Sequence, residues 1–530
     1  MAAPFSTSIL LLALVGCAGE TTVTSGDTGT APEPVEPTAD TGDTDEPDPI
    51  DTSPPPPECL QDSAAEVGNL EFVDGELTID PDTLAVTSSA AAPAVALPEG
   101  LDDTAYYGAV DPDEATAWWE GWTYVDPAVD GSLPGGGHPL APPITGGQLV
   151  GSKVNLCSTL DPSYLDGGIV TLFNEPFPVC VVQGRITADV TWPNDHAFLL
   201  LGPVIVGRGD SRLRGGTPSD SATLTIQPGT QVYGAQLEDN SLLLVTRGSR
   251  LVAEGTRDLP ILFSSAIATE DGIFDNPVDL SVRGGWGGIG LQGFGVTNGG
   301  NSDAETTSFY TGGWYGGTEP TDSSGSLEYV VIAENGDQVG GGNNAPSFPG
   351  LLLEGVGSGT NVDHVQVIGG NGDCLGAFGG GAPLRHLVCS GTGDDSFDVD
   401  SGFSGSLQYG IVRMGAENGD NGIEADGNNQ NFDAEPTTDA VFANVTVLGN
   451  AGNEDDDTRG ALLREGARVQ VFRSVFADDT AAGGGFEDGC VDIDDVVPDE
   501  LQYRDVLFSC SPGPFAECEE GEAPLEPSAE

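Results

Sequence analysis

The sequence predicts an all-β protein, a right-handed parallel β-helix solenoid preceded by an N-terminal capping segment. Three observations carry this. One pattern (apolar, two variable, apolar, one variable, apolar) recurs at Leu327/Val330/Ile332, Val362/Val365/Val367, Leu384/Leu387/Cys389, Phe442/Val445/Val447 and Tyr503/Val506/Phe508, with weaker copies at Leu407/Gly410/Val412 and Phe472/Val475/Ala477. Successive copies from Val362 to Leu407 lie 22 and 23 residues apart, which suits one coil of a solenoid per repeat. Glycine supplies 78 of the 530 residues, and helical periodicity is nearly absent outside a short helix expected around Glu114–Trp119. An earlier pair of runs, Leu224 to Val232 and Leu243 to Leu251, aligns at an offset of nineteen. A β-sandwich or propeller would not hold one pattern in register at this period.

The chain divides in order. Residues 1–16 read as a signal peptide: the apolar run from Ile9 to Val15 is too short to span a bilayer, although Met1 to Ser8 lacks Lys and Arg. Leu14-Val15-Gly16-Cys17 resembles the bacterial lipoprotein signal, which implies lipidation of Cys17, and Ala18 after it implies outer-membrane sorting. Residues 17–58 are acidic, rich in Pro and Thr and free of aromatic residues, and form an extended tether. Residues 59–145 form the capping segment, with Trp118, Trp119 and Trp122 expected to plug the open end of the solenoid. The β-helix runs over 146–518, and 519–530 form an acidic tail, expected to fray. Eight cysteines follow Cys17, an even number suited to disulfides in an exported chain. Closeness in sequence favours Cys157–Cys180 and Cys374–Cys389; Cys59, Cys490, Cys510 and Cys518 make the remaining pairs in an order the spacing leaves open.

Several blocks resemble a widespread family of uncharacterised exported bacterial β-helix proteins with a pectate-lyase-like superfold, many of them lipoproteins. They are Tyr107-Gly-Ala109 with Trp118 and Gly121-Trp-Thr123; Leu224-Thr-Ile-Gln-Pro-Gly-Thr-Gln-Val232; Arg247-Gly-Ser-Arg-Leu-Val-Ala-Glu-Gly-Thr256; Gly285-Trp-Gly-Gly-Ile289; Tyr315-Gly-Gly-Thr-Glu-Pro320; Gly355-Val-Gly-Ser-Gly-Thr360; Gly393-Asp-Asp-Ser-Phe-Asp-Val-Asp400; and Asn421-Gly-Ile-Glu-Ala-Asp426. The resemblance covers roughly residues 105 to 450 and implies a β-helix on the cell exterior, with no reaction attached. At one coil the family pattern has Glu where this chain has Gly376, so one carboxylate of the expected stripe is missing.

The candidate chemistry is a set of aligned carboxylates. Asp373 to Gly380 aligns with Asp395 to Gly402 at an offset of 22. With Phe397 and Val399 inward, Asp398 and Asp400 point outward, and Glu424 and Asp426 repeat the alternation. Stacked coils would bring these four together, a repulsive arrangement that a hard cation relieves. These acids read either as turn caps on a solvated face or as a calcium site, with Asp395, Asp398, Asp400, Glu424 and Asp426 as ligands and Asp373 and Asp394 able to add to them. Asp398, Asp400, Glu424 and Asp426 are also the candidate catalytic groups. The Gly-Asp-Asp resembles polygalacturonase-type hydrolases, but their Gly-His-Gly and Arg-x-Lys motifs are missing. A lyase would need a base such as Arg385 or Arg413. A second feature is a ladder of Tyr329, His364, His386 and Tyr409, one per coil, which reads either as ring stacking that stabilises a turn or as a sugar-binding surface. The other histidines, His138 and His196, are too distant to complete a zinc site.

A formal net charge of -68, with Lys153 as the only lysine, excludes nucleic acid as a partner. The expected function is non-enzymatic binding or adhesion at the cell surface, to extracellular polysaccharide or another surface partner. The alternatives are a polysaccharide lyase or glycoside hydrolase using the carboxylates, and a purely structural envelope protein. The expected place is the outer membrane, facing outward, with the lipid on Cys17 as the membrane contact.

Overall fold

The structure, a computed structural model, describes residues 77–124, 132–134, 157–266 and 283–511, with the short strands Glu58–Cys59, Asn69–Phe72 and Ala523–Pro524; within these spans 173–174, 213–219, 237–239, 300–304, 338–345, 416–418, 450–457, 480–483, 487–488 and 495–500 are excluded. Cys17, the signal peptide, nearly all of the tether, His138 and Cys518 lie outside the described residues. So does most of the tail, although Ala523–Pro524 pairs in parallel with Glu58–Cys59.

Among the described residues twenty-five strands form one continuous hydrogen-bonded sheet that winds into three faces. Face 1 contains Leu242–Val245, Ile289–Gln292, Leu351–Val356, Leu375–Gly380, Phe397–Asp400, Ile423–Asp426, Ala461–Arg464 and Val491–Ile493, each paired in parallel with the next. Faces 2 and 3 are the two halves of longer strands such as Asn361–Ile368, Pro383–Ser390 and Ser406–Arg413. Inward positions build one core of stacked Val, Leu, Ile and Phe, nearly all of it under 5% exposed. Like residues on successive coils sit about 4.8 Å apart and exclude water along the axis.

The recurrent pattern is the bend between faces 2 and 3. In Leu327-Glu-Tyr-Val-Val-Ile332, Leu327, Val330 and Ile332 point inward and Tyr329 takes a left-handed conformation that turns the strand. His364, His386, Tyr409, Asn444, Arg473 and Asp505 hold the same corner with φ between 49° and 66°. A non-glycine residue there costs about 1–2 kcal/mol, and ring stacking offsets part of it. Tyr329, His364, His386 and Tyr409 form an unbroken stack with centroids 4.4, 4.3 and 4.7 Å apart.

Two register expectations change. Leu224 stacks on Leu251, whereas Leu243 stacks on Val204 and Ile289. The offset of nineteen therefore compares two strand–corner–strand units on different faces, which share a sequence pattern because both turn a corner. In the copy near Phe472 the residue that stacks on Phe442 is Val471, one place earlier than the pattern indicated.

The capping segment also differs from expectation. Residues 77–124 and 132–134 do not plug an end; they lie along the outside of face 3. That face carries apolar side chains outward as well as inward. Val388, Ile411, Leu448, Val475 and Leu507 meet Val86, Tyr107, Val110 and Trp119. Trp122 meets Leu262, Val331, Ala333 and Ile368. Left in water, this stripe would be a long exposed apolar patch. Polar outward side chains anchor the strap's backbone: Gln366 both accepts from Tyr124 N (2.7 Å) and donates to Tyr124 O (2.8 Å), and Gln408 does the same with Asp102 (2.9 and 2.8 Å). The expected helix around Glu114–Trp119 is a series of turns. Among the described residues the helix is instead Cys157–Leu160, which with strand Leu165–Leu172 covers the first coil, while Asn69–Phe72 adds a strand to the last coil beside Gln502–Ser509.

Trp122 is fully buried and its indole N–H donates to Trp118 O at 3.0 Å. Trp122→Ala is expected to weaken strap docking by about 3–5 kcal/mol. Limited proteolysis should then cut within 77–124 while the solenoid stays intact; an unchanged cleavage pattern would remove Trp122 as the anchor.

Among the described residues three disulfides join Cys157–Cys180, Cys374–Cys389 and Cys490–Cys510. The first two are the expected pairs and the third resolves part of the open set. They indicate a protein that matures outside the cytoplasm. Among the described residues no helix is long and apolar enough to cross a membrane.

Candidate functional site: a carboxylate-lined cleft on face 1

Alternation on face 1 sends every second side chain outward, and parallel register lines these up. One outward row reads Leu352, Gly376, Asp398, Glu424, Leu462. The next reads Gln292, Glu354, Phe378, Asp400, Asp426, Arg464. Phe397, Val399, Ile423 and Ala425 are buried beneath. The expected orientation of Asp398, Asp400, Glu424 and Asp426 therefore holds.

Two insertions wall these rows into a cleft of about 890 Å³. One is the hairpin Glu305–Thr307/Trp314–Gly316, whose tip carries Phe309 and Tyr310. The other is the loop 428–434, rich in Asn and Gln. Arg247, fully buried, holds the hairpin: it donates to Glu305 Oε1 (2.8 Å), Gly316 O (2.9 Å), Ser211 O (2.9 Å) and Gly209 O (3.1 Å). Phe309 is 79% exposed, and Tyr310 stacks on Phe378 with centroids 6.1 Å apart.

The expected five-carboxylate set divides in two. Asp398, Asp400 and Asp426 line the cleft. Arg464, one register position beyond Asp426, donates to its carboxylate from Nε (2.8 Å) and Nη2 (3.0 Å) and also binds Glu424. A guanidinium thus stands where a metal ion was expected to relieve Glu424 and Asp426. Asp395 and Glu424 hydrogen-bond to each other, and Asp395 also accepts from Asn421 N (2.9 Å) and Nδ2 (2.8 Å). Asp395 joins Asp373 and Asp394 at the neighbouring corner, where one oxygen from each lies within 4.8 Å of the others. Oδ1 of the buried Asn421 has no hydrogen-bond partner. These three carboxylates fit a hard cation in ligand type and spacing. Asp398, Asp400 and Asp426 do not form such a group.

Burial raises the carboxyl pKa values. Glu354, 1% exposed, is pushed up to about 7 by desolvation, partly offset by hydrogen bonds from Ser308 and Gln292. Asp400 is also pushed up to about 7, by burial first, against a backbone hydrogen bond from Ser401. Asp398, Asp373 and Asp395 rise well above the usual carboxylate range, through burial and then through the charge of neighbouring carboxylates, Glu424 among them in each case.

Glu354 and Arg464 were missed in the sequence. The signal existed: Leu351-Leu-Leu-Glu354 and Ala461-Leu-Leu-Arg464 place a charge where Phe397-Asp-Val-Asp400 does. Gly376 has a physical reason here, since a Cβ on it would lie 3.1 Å from the Phe378 ring and 3.2 Å from Pro349. Arg385 and Arg413 sit away from the cleft: Arg385 pairs with Asp102 of the strap, and Arg413 binds Asp479 and Ser132 O. Neither can serve as a base for these carboxylates.

The ring ladder is not an open surface. Trp118 lies against His386 and His364 (4.9 and 5.9 Å), and Trp122 against Tyr329 and His364 (5.7 Å each). His364 and His386 each contact Asp363 Oδ1 through Nδ1 at 2.7 Å. Although burial opposes its charge, these contacts hold the Asp363 carboxyl well below the usual range. Tyr329, His364, His386 and Tyr409 therefore fix the corner and the strap.

Residues 184–514 match the family model described as a pectate-lyase-like β-helix domain, more than half of the chain. The chain belongs to the pectate-lyase-like β-helix family. Comparison with curated proteins and with solved structures finds no match. Family membership fixes the coil architecture and leaves the reaction to be argued from the cleft.

Proposed function

We propose that this pectate-lyase-like β-helix protein binds a glycan chain in the face 1 cleft, at the outer surface of the cell. The observation that carries this is the joining of exposed aromatic surface, Phe309 above the Tyr310/Phe378 stack, to a floor of carboxyl, amide and hydroxyl groups. Aromatic faces take the C–H faces of sugar rings while the polar floor takes their hydroxyls. Lipid on Cys17 and the acidic tether would hold the solenoid at the outer membrane, facing outward. Affinity electrophoresis through polysaccharide-containing gels tests the binding. Retardation that Phe309→Ala abolishes supports it; mobility unaffected by any polysaccharide counts against it.

Calcium is proposed at Asp373, Asp394 and Asp395, with the free Oδ1 of Asn421 nearby, in place of the five-carboxylate set. Calorimetry should give one bound calcium per chain, lost in the Asp373→Asn/Asp394→Asn double variant. Equal binding by the variant would remove the site.

Catalysis is the second reading. Asp400, with its raised pKa, neighbours Asp426, which is ion-paired with Arg464. A protonated acid beside a charged carboxylate is the pairing that glycoside hydrolysis uses. New reducing ends that disappear in Asp400→Asn would establish it.

A further inference from the structure

The cleft's charge bears on which glycan it takes, an inference that rests on the glycan reading above. Among the described residues Arg464 is the one cation lining the cleft, and both Asp426 and Glu424 already engage its guanidinium. Each carboxylate of a polyuronate would enter beside Asp426 and Glu465, with no uncommitted cation among the described lining residues to meet it. Like charges brought together in a part-buried cleft cost several kcal/mol unless paired. Apart from the carboxyls, the polar lining is neutral and includes the amides of Asn298, Asn428 and Gln430 and the hydroxyls of Thr306 and Thr307. These groups both donate and accept, as sugar hydroxyls do.

We propose that the cleft selects an uncharged glycan and rejects polyuronates. Glu354 and Asp400 strengthen the case: burial lifts both to about 7, so near neutral pH a large fraction of each carries a proton and donates to a hydroxyl. That lowers the negative charge a strongly cationic sugar would require. The strand rows run across successive coils, so a linear chain would lie along the solenoid axis, with its rings passing Phe309.

The test is calorimetry on the mature full chain at neutral pH, with and without calcium. The probes are neutral xylo-, manno- and laminari-oligosaccharides, oligogalacturonate, and chitosan oligosaccharide. At least one neutral probe is expected to bind, with an affinity that does not change with salt. Phe309→Ala should weaken it about tenfold, equivalent to 1.4 kcal/mol; Phe309 is 79% exposed, so its truncation leaves the core intact. Tighter binding of oligogalacturonate or chitosan oligosaccharide than of every neutral probe, still lost in Phe309→Ala, overturns the charge selection and leaves the glycan reading standing. Binding of no probe, or binding indifferent to Phe309→Ala, overturns the glycan reading and this inference together.

Discussion

Arg247→Met is expected to destabilise the protein by about 3–5 kcal/mol and to dismantle one wall of the cleft. Arg247 is 0% exposed and donates four hydrogen bonds that tie residues 209–211 to both strands of the hairpin. Methionine fills similar volume but takes from the Glu305 carboxylate, 5% exposed, its cation at 2.8 Å; Arg212 lies farther away, at 3.5 Å. The cost arises from a buried charge losing its nearest cation and from three carbonyls losing a donor. Urea denaturation measures the stability, and loss of glycan binding reports the hairpin. The double variant Arg247→Met/Glu305→Leu should recover most of the stability without recovering binding, because it removes the buried charge and not the vacancy at the carbonyls of Gly209 and Gly316. A single variant within 1 kcal/mol of wild type, or one that still binds, contradicts the role assigned to Arg247.

The second large effect is a pH dependence opposite in sign to ordinary acid denaturation. Glu354 titrates near 7 in the folded protein and near 4.5 when unfolded. A group whose folded pKa is raised contributes its stabilisation in full below the unfolded pKa and loses it as pH rises through the folded pKa. For Glu354 that is roughly 3 kcal/mol lost between about pH 4.5 and 7. Asp400 acts in the same window, and Asp398, Asp373 and Asp395 in the same direction. His386 opposes them: burial lowers its pKa, so below about 6.5 protonation favours the unfolded chain. The lowered carboxyl of Asp363 also opposes them, at more acidic pH. Without calcium, the melting temperature should therefore fall from mildly acidic pH towards pH 8. Glu354→Gln should flatten that fall and raise stability at pH 8. Calcium at Asp373, Asp394 and Asp395 should recover part of the loss. A melting temperature that rises steadily from pH 6 to pH 8 in chelator contradicts the burial of these acids.

Much of this architecture is legible in the chain because a solenoid repeats its local constraints. Val362, Leu384 and Leu407 stack as their spacing requires. Asp398 and Asp400 point outward because Phe397 and Val399 must point inward. Nonlocal contacts were not legible in the same way. The strap on face 3 is announced only by apolar residues at outward positions, such as Val388 and Ile411, and those read equally well as strand propensity. The Trp118 and Trp122 contacts with His364, His386 and Tyr329 join positions more than two hundred residues apart, beyond any spacing rule. The cleft depends on insertions with no repeat of their own, so Phe309 and loop 428–434 carried no pattern to mark them. Arg464 was hidden because alignment on carboxylates passes over a cation at the same register.

The most direct test of the central claim is a crystal structure of the protein soaked with a neutral oligosaccharide that binds in solution. The account predicts sugar rings in the face 1 cleft, one stacked on Phe309 or Tyr310, with hydroxyls bonded to Asp398 or Asp400 and to the amides of 428–431. Sugar seated against another face, with the cleft holding none, would contradict it.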